Sequence, residues 1–169
     1  MVKKRYLIDT NTLATPSRQY YSFDLLPSFW KWLMPLIQNG TVVILDKVYN
    51  ELKKGKDELA SWLVDVPKDR VLSSRNAEIL SVYQEILTYI QESPSYTDKA
   101  LRAWAKEDTA DPWLIVAAKV NGFELVTFEQ SAGKIIMPSK NPKIPDIASS
   151  FQVNCISLFM MMRDEHFRI

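Results

Sequence analysis

Short apolar runs of the kind that form buried strands alternate along this chain with longer segments of helical periodicity. This alternation limits the possible folds more than any other feature. The apolar runs fall at residues 6–8, 41–45, 71–72, 123–127 and 153–156. Parallel strands need a crossover between them, which is usually a helix. The alternation therefore predicts an α/β fold with a mainly parallel central sheet of about five strands.

The segments between these runs have apolar residues spaced as in helices. We predict helices over residues 24–38, 46–55, 57–63, 76–91, 97–106 and 111–121, a short helix from residue 144 and a terminal helix after residue 156. Asp46 and Asp111 are predicted N-caps, and Pro112 is expected at the first helical position. Residues 9–12 are typical of a turn and residues 16–23 of a loop.

The 169 residues suffice for one domain, and no repeat, low-complexity tract or linker divides residues 1–169. The 21 Lys and Arg nearly balance the 20 Asp and Glu, so the net charge of +1 lacks the basic signature of many nucleic-acid binders. No apolar stretch approaches the ~20 residues of a membrane span. The apolar residues 6–8 are too few for a secretory signal. We therefore expect a cytoplasmic domain without membrane association.

Histidine and cysteine each occur once. Cys155 lies in an apolar run typical of a buried thiol, and His166 lies in a charged segment near the end of the sequence. One cysteine cannot form an internal disulfide. These counts nearly exclude a structural zinc site, a Cys–His dyad and a Ser–His–Asp triad. The absence of GxGxxG and GxxxxGK[ST] patterns disfavours a dinucleotide site or a P-loop.

Acidic residues follow the predicted strands at the edge where α/β sheets bind ligands. Asp9 ends the first strand, Asp111 begins the helix before the strand at 123–127, and Glu129 lies just beyond that strand. Glu51, on the helix after the second strand, can face the same crevice. Carboxylates gathered in this way repel one another unless a cation neutralises them. Their oxygens suit Mg²⁺ or Mn²⁺, which can activate water for attack on a phosphodiester.

Each acid also has a purely structural interpretation. Asp9 can cap the segment after its strand, Asp111 can cap its helix, and Glu51 can be a solvated helix residue. A capping side chain can still offer its second oxygen to a metal, so both roles stay open. The order and placement of the acids together, rather than any one of them, favour a metal site.

Four segments in order carry these acids and their polar neighbours. They read YLIDTN at residues 6–11, VYNEL at 48–52, ADPWLIVAA at 110–118 and LVTFE at 125–129. Together they resemble the motif regions of PIN domains. The DTN and ADPWLI segments, with KIPD at 143–146, resemble more narrowly the PIN-like family DUF4411. The resemblance spans nearly the whole chain. It implies a three-layer α/β/α PIN-like fold and cleavage of single-stranded RNA at an acidic pocket that binds Mg²⁺ or Mn²⁺.

The resemblance also implies roles for individual residues. Asp9 and Asp111 would be the main metal ligands, and Glu51 would bind or orient the attacking water. Asn11 and Thr127 would donate hydrogen bonds that hold the carboxylates in place. Where PIN domains commonly have Asp directly after the strand's Thr, this chain has Phe128 and then Glu129. Glu129 is therefore expected as the remaining catalytic acid and metal ligand, with Asp146 as its rival.

Contacts with RNA and with proteins can also be anticipated. Tyr20 and Tyr21, beside Arg18, are candidates for stacking on bases, and Lys53 and Lys54 are candidates for phosphate contacts. The lysines of the 134–143 segment can meet phosphates too, although a solvated surface is the common alternative. Many PIN proteins are toxins restrained by an antitoxin, so an antitoxin partner is expected, and a homodimer is an open alternative.

Two rival functions follow from the same residues. A phosphatase of the haloacid-dehalogenase type also has Asp after its first strand, but it needs a second Asp where this chain has Asn11. The other rival is a catalytically inactive PIN-like module that binds RNA or protein. The nearly neutral charge and the irregular fourth acidic position favour that alternative.

Overall fold

One parallel sheet forms the centre of the computed structural model, which describes residues 3–169. Its strands are β1 (Tyr6–Ile8), β2 (Val42–Leu45), β3 (Val71–Leu72), β4 (Glu124–Val126) and β5 (Cys155–Ile156). The strand order is β3-β2-β1-β4-β5, and every neighbouring pair runs parallel. The predicted α/β fold with a parallel sheet of about five strands is therefore confirmed.

Helices cover both faces of this sheet. One face carries α1 (Thr10–Arg18), α2 (Pro27–Gln38), α3 (Asp46–Lys53), α4 (Glu58–Trp62) and α9 (Leu158–Asp164). The other face carries α5 (Ala77–Glu92), α6 (Asp98–Trp104), α7 (Ala110–Asn121) and α8 (Ile144–Ser150). Two short 3₁₀ turns, Leu63–Asp65 and Lys68–Arg70, join α4 to β3. The fold thus has the three α/β/α layers that were expected.

The handedness of the connections explains these layers. The chain moves across the sheet in one direction from β1 to β2 to β3, and right-handed crossovers place the helices of this half on one face. It then returns to the other side of β1 to form β4 and β5, so the following helices cover the opposite face. The strand order reverses between β1 and β4. Ligand sites of open α/β sheets lie outside the carboxyl ends of the strands at such a point.

The centre of the molecule is apolar on all sides. Every residue of Tyr6–Ile8 and of Val42–Leu45 is buried, as expected of parallel strands covered on both faces. Helix α7 is also buried nearly all round, because the positions from 112 to 118 all face the interior. Although α7 is apolar, it has only 12 residues, and no helix within residues 3–169 is long and apolar enough to cross a membrane.

Helix α1 occupies residues for which the sequence predicts a turn and a loop. Its sequence, TNTLATPSR, contains weak helix formers and a proline, so local propensity disfavours it. It forms because Thr12, Leu13, Ala14 and Pro16 are buried against the rest of the protein. The predicted helix over 24–38 begins later, at Pro27, because proline favours the first turn of a helix.

The remaining predicted strands and helices begin and end within two residues of the observed ones. The predicted capping role of Asp46, however, is wrong. Helix α3 begins at Asp46 itself, with Leu45 in the cap position. The Asp46 Oδ2 instead accepts hydrogen bonds from the backbone N and the Oγ of Ser74, at 2.9 and 3.0 Å. It therefore attaches α3 to the segment after β3.

The predicted N-cap at Asp111 is also wrong. Helix α7 begins one residue earlier, at Ala110, and Thr109 occupies the cap position. Pro112 lies at the third helical position rather than the first. The N–H groups of the first helical residues have no partner within the helix, so proline costs no helical hydrogen bond at this position. The Asp111 side chain therefore belongs to the first turn and does not cap the helix.

Candidate functional site

Hydrogen bonds join the carboxyl ends of β1 and β4, where the strand order reverses. The backbone N–H of Asp9 donates to the carbonyl of Val126 at 3.0 Å, and the Thr12 hydroxyl donates to the same carbonyl at 3.1 Å. On the other side of β4, the N–H of Thr127 donates to the carbonyl of Ile156 at 3.1 Å. These bonds fix the backbone where Asp9 and Thr127 leave their strands.

Asp9 is a buried carboxylate, with 3% of its surface exposed. Its Oδ2 accepts a hydrogen bond of 3.0 Å from the buried hydroxyl of Thr127, so the contact expected of Thr127 is present. The same Thr127 Oγ1 accepts from the backbone N–H of Glu129 at 3.0 Å. Asp9 occupies the N-cap position of α1 but makes no capping bond through its side chain. Its structural interpretation as a cap is therefore wrong.

Burial and mutual repulsion raise the pKa values of two acids. Burial is the main reason that the pKa of Asp9 rises from 3.8 to about 6. The hydrogen bond from Thr127 opposes this rise, and the charges of Glu129 and Glu51 add to it. Burial likewise raises the pKa of Asp111 to about 7, and the charges of the other three acids contribute. The four predicted acids therefore lie near enough for their charges to affect the pKa values of Asp9 and Asp111.

Asp111 is the acid with the least compensated charge. It lies in the first turn of α7, where the positive end of the helix dipole favours an anion only modestly. No hydrogen bond from residues 3–169 lowers its pKa, and the one lowering influence is the charge of Lys143. A largely buried carboxylate without a hydrogen-bond donor suits a site that takes a cation.

Glu51 reaches the site from α3 as an exposed side chain. Its Oε2 accepts a hydrogen bond of 2.9 Å from the hydroxyl of Thr10, the residue directly after Asp9. The sequence indicated no role for Thr10, whereas Asn11 was expected to hold a carboxylate. Asn11 is exposed on the first turn of α1, and its side chain forms no hydrogen bond with the rest of residues 3–169. The threonines on either side of Asn11 were the only signal in the sequence.

Glu129, and not Asp146, acts on Asp9 and Asp111. Glu129 Oε2 accepts a hydrogen bond of 2.8 Å from the backbone N–H of Ile144, and its charge raises the pKa values of Asp9 and Asp111. Asp146 instead accepts hydrogen bonds from the Ser131 hydroxyl and from the backbone N–H of Ala132, the latter at 3.0 Å. It contributes to neither pKa shift. Asp146 therefore stabilises the loop after β4 rather than joining the other acids.

The chemistry of these side chains can be compared with the needs of a divalent cation. They offer only oxygen donors, which Mg²⁺ and Mn²⁺ prefer. The raised pKa values of Asp9 and Asp111 mean that their negative charges lack full compensation, which a cation would supply. Within residues 3–169 no group of three or more His, Cys, Asp or Glu is gathered into a metal-binding arrangement. The side chains therefore fit a hard cation by donor type and by uncompensated charge.

The two candidate stacking residues have different environments. Tyr20 is 41% exposed, and its ring meets the edge of Phe128, with 6.4 Å between the centroids. Phe128 lies between Thr127 and Glu129, so Tyr20 borders the acidic site. Tyr21 is partly buried and stacks on Phe29 at a centroid distance of 4.7 Å. Tyr20 is therefore the accessible ring of the pair.

The candidate phosphate-binding residues are exposed, and two of them have partners within the protein. Arg18 forms a 3.5 Å ion pair with Asp57, and the Lys53 ammonium lies 5.4 Å from the centroid of the Tyr49 ring. Lys54 lines an open groove of about 570 Å³ together with Glu51. Its lining also includes Lys47, Glu107 and Asp108, so the two lysines of the groove lie among three acids.

Cys155 and His166 do not contribute reactive groups to the site. Burial raises the pKa of the Cys155 thiol to about 11, and the charges of Asp9 and Glu129 add to the shift. Cys155 therefore stays protonated at neutral pH and is a poor nucleophile. His166 is exposed in the segment after α9.

Comparisons with known proteins give one match. A family model described as a domain of unknown function, DUF4411, matches residues 6–169. The matched range includes every strand of the sheet and all four acids. Neither the curated proteins nor the solved structures include a significant match to this chain.

Proposed function

The chain belongs to the DUF4411 family, and we propose that it is a metal-dependent endoribonuclease of the PIN type that cleaves single-stranded RNA. The observation that supports the proposal is that Glu129 lies near enough to Asp9 and Asp111, at the reversal of strand order, for its charge to raise both of their pKa values. Burial and mutual repulsion raise the pKa values of the two aspartates. Maintaining such a site costs stability unless a cation binds there. The resemblance to PIN domains supports RNA as the substrate.

The side chains divide the work of phosphodiester hydrolysis. Asp9, Asp111 and Glu129 would hold the cation, and Thr127 keeps the Asp9 carboxylate in place through its 3.0 Å hydrogen bond. Bound Mg²⁺ or Mn²⁺ would stabilise the negative charge that builds on the phosphate and ease deprotonation of the attacking water. Glu51, positioned by Thr10 and exposed to solvent, orients that water and accepts its proton.

The proposal extends to location and partners. We place the protein in the cytoplasm, where it acts as the toxin of a toxin–antitoxin pair and binds a protein antitoxin. A homodimer is the alternative assembly. The resemblance to PIN domains supports the antitoxin. Tyr20 and the lysines near Glu51 support contact with a single strand, because stacking rings and flexible cations suit unpaired nucleotides.

Cleavage of labelled single-stranded RNA tests the proposal. Wild-type protein should cut a panel of oligonucleotides with Mn²⁺ but not with EDTA, and Asp9→Asn and Asp111→Asn should lower the rate at least about a hundredfold. Asp69→Asn is the matched control, because Asp69 is exposed on the turn before β3, at the opposite end of the strands. If wild-type protein and both site variants leave the whole panel uncut, ribonuclease activity on these substrates is refuted.

A non-catalytic PIN-like module is the second candidate. It is favoured by the net charge of +1 and by the irregular fourth acidic position, where Phe128 and then Glu129 follow Thr127. The two functions differ in their effects on a host cell. An active toxin should inhibit growth on expression, and Asp9→Asn should relieve the inhibition without lowering the protein level. Equal growth of cells expressing either protein would favour the non-catalytic module.

A further inference from the structure

One lysine lies within the acidic site. The Lys143 ammonium is 3.9 Å from Oε1 of Glu129, and of the ion pairs within residues 3–169 this is the one that includes a site acid. The charge of Lys143 also reaches Asp111, whose pKa it lowers. The ammonium is therefore near acids carried by two different elements, the segment after β4 and helix α7.

The backbone around Lys143 is fixed by Glu129 itself. The second carboxylate oxygen of Glu129, Oε2, accepts a 2.8 Å hydrogen bond from the N–H of Ile144. The carbonyl of Lys143 accepts from the N–H groups of Asp146 and Ile147 at 3.1 and 3.2 Å. Because the main chain is held at this point, the Lys143 side chain projects from a fixed position at the border of the site.

The pair between Lys143 and Glu129 is easily exchanged. Its 3.9 Å separation is long for a charge-assisted hydrogen bond, and the Lys143 side chain is 42% exposed, so solvent screens the attraction. A lysine ammonium on a flexible stem can turn toward a new anion while the main chain stays in place. A site with four carboxylates would otherwise repel the phosphates of an approaching strand.

We propose that Lys143 is a positioning residue that contacts a phosphate oxygen of the bound single-stranded RNA and releases Glu129 as it does so. The inference rests on the proposed ribonuclease function. In the absence of RNA, Lys143 partly neutralises Glu129. When RNA binds, the ammonium exchanges the carboxylate for a phosphate, which places the strand beside Asp111 and leaves Glu129 able to bind a cation.

The salt dependence of RNA binding tests this role without relying on cleavage. Affinity for a fluorescent single-stranded RNA would be measured by anisotropy in EDTA at several NaCl concentrations. One phosphate contact contributes about 0.7 to the slope of log affinity against log salt. Lys143→Met should reduce the slope by about this amount, whereas Lys143→Arg should keep it. Lys68→Met, on an exposed turn before β3, should keep the wild-type slope.

Cleavage kinetics with Mn²⁺ then test the role of Lys143 separately from the ribonuclease function. Lys143→Met should lower kcat/KM by about tenfold or more, mainly through KM, and Lys143→Arg should recover most of it. If wild-type protein cleaves RNA but Lys143→Met retains its salt slope and KM, the role of Lys143 is refuted while the ribonuclease function stands. If wild-type protein neither binds nor cleaves RNA, both proposals fail. Equal loss of slope in Lys143→Arg and Lys143→Met would also refute the phosphate contact.

Discussion

At the scale of single residues, Thr127 connects the two strands that build the site. Its hydroxyl donates to Asp9 and accepts from the N–H of Glu129, so it orients one acid directly and positions the backbone of another. Hydrogen bonds of this kind restrict a carboxylate to the orientation in which it can bind a metal. The site therefore depends on a residue that has no charge of its own.

Replacing this hydroxyl should weaken cation binding. Thr127→Val keeps the shape of the side chain but leaves Asp9 without its donor and the Glu129 N–H without its acceptor. We expect the affinity for Mn²⁺, measured by calorimetry, to fall about 10- to 100-fold. Thr127→Ser retains a hydroxyl and should stay within about threefold of wild type. Unchanged Mn²⁺ affinity in Thr127→Val would contradict this role.

The two adjacent tyrosines should respond differently to truncation. Tyr20→Ala removes the exposed ring and should weaken RNA binding on the order of tenfold with little change in stability, because a stacked base is worth about 1–3 kcal/mol. Tyr21→Ala removes a ring stacked on Phe29 and should instead lower the free energy of unfolding by about 2 kcal/mol. Anisotropy and urea denaturation would measure the two effects. A Tyr20→Ala protein that binds RNA as well as wild type would exclude stacking at this ring.

The residues of the site were predictable from the sequence to different degrees. Asp9 and Glu129 could be expected at the same edge of the sheet because each follows a strand, and parallel strands bring their carboxyl ends to one edge. The choice between Glu129 and Asp146 could not be made, since it depends on the path of the loop that joins them. Thr10 was missed because its direction follows from α1, a helix that local propensity did not indicate.

At the scale of elements, packing decided what the sequence pattern left open. The strands and most helices were predictable because apolar periodicity and capping residues agree there. Helix α1 was not, since its buried face consists of small and polar residues with Leu13 as the one large apolar side chain. The N-cap of α7 was misplaced by two residues because Thr109 and Asp111 are both acceptable cap residues.

Gly122 ends α7 and sets the direction of the chain into β4. It has a φ of 68°, in the left-handed region, and a Cβ atom there would meet no neighbour within 4 Å. Gly122→Ala should therefore cost about 1 kcal/mol of stability through backbone strain alone. Gly122→Asn should cost less, because asparagine adopts this conformation more readily. Urea denaturation would test this, and an equal loss in both variants would point to a cause other than backbone strain.

At the scale of the whole molecule, the buried acids make stability depend on pH. The folded-state pKa values of Asp9, about 6, and Asp111, about 7, exceed the ordinary value of 3.8. Between these values the folded protein binds more protons than the unfolded chain, so the free energy of unfolding falls as pH rises. The stabilisation that these two acids contribute to the folded state is complete below about pH 4 and lost above about pH 7.

This dependence is measurable without any substrate. In EDTA, we expect the two acids to lower the free energy of unfolding by on the order of 3 kcal/mol between pH 4 and pH 8. Asp111→Asn should show a smaller decline than Asp69→Asn, because only the former removes a carboxylate whose pKa is raised in the folded state. A decline of the same size in both variants would show that other groups cause it. At pH 8, we expect Mn²⁺ to raise the free energy of unfolding of the wild-type protein, because a ligand that binds only the folded state stabilises it.

The most direct test is anomalous diffraction from wild-type crystals soaked in Mn²⁺ at pH 8, where Asp9 and Asp111 are both ionised. We expect a Mn²⁺ peak with oxygens of Asp9, Asp111 and Glu129 within about 2.3 Å, and with Asp146 still bound to the loop after β4. The same soak of Asp111→Asn crystals should give a much weaker peak. No peak between Asp9 and Asp111 in ordered wild-type crystals at saturating Mn²⁺ would contradict a metal-dependent site.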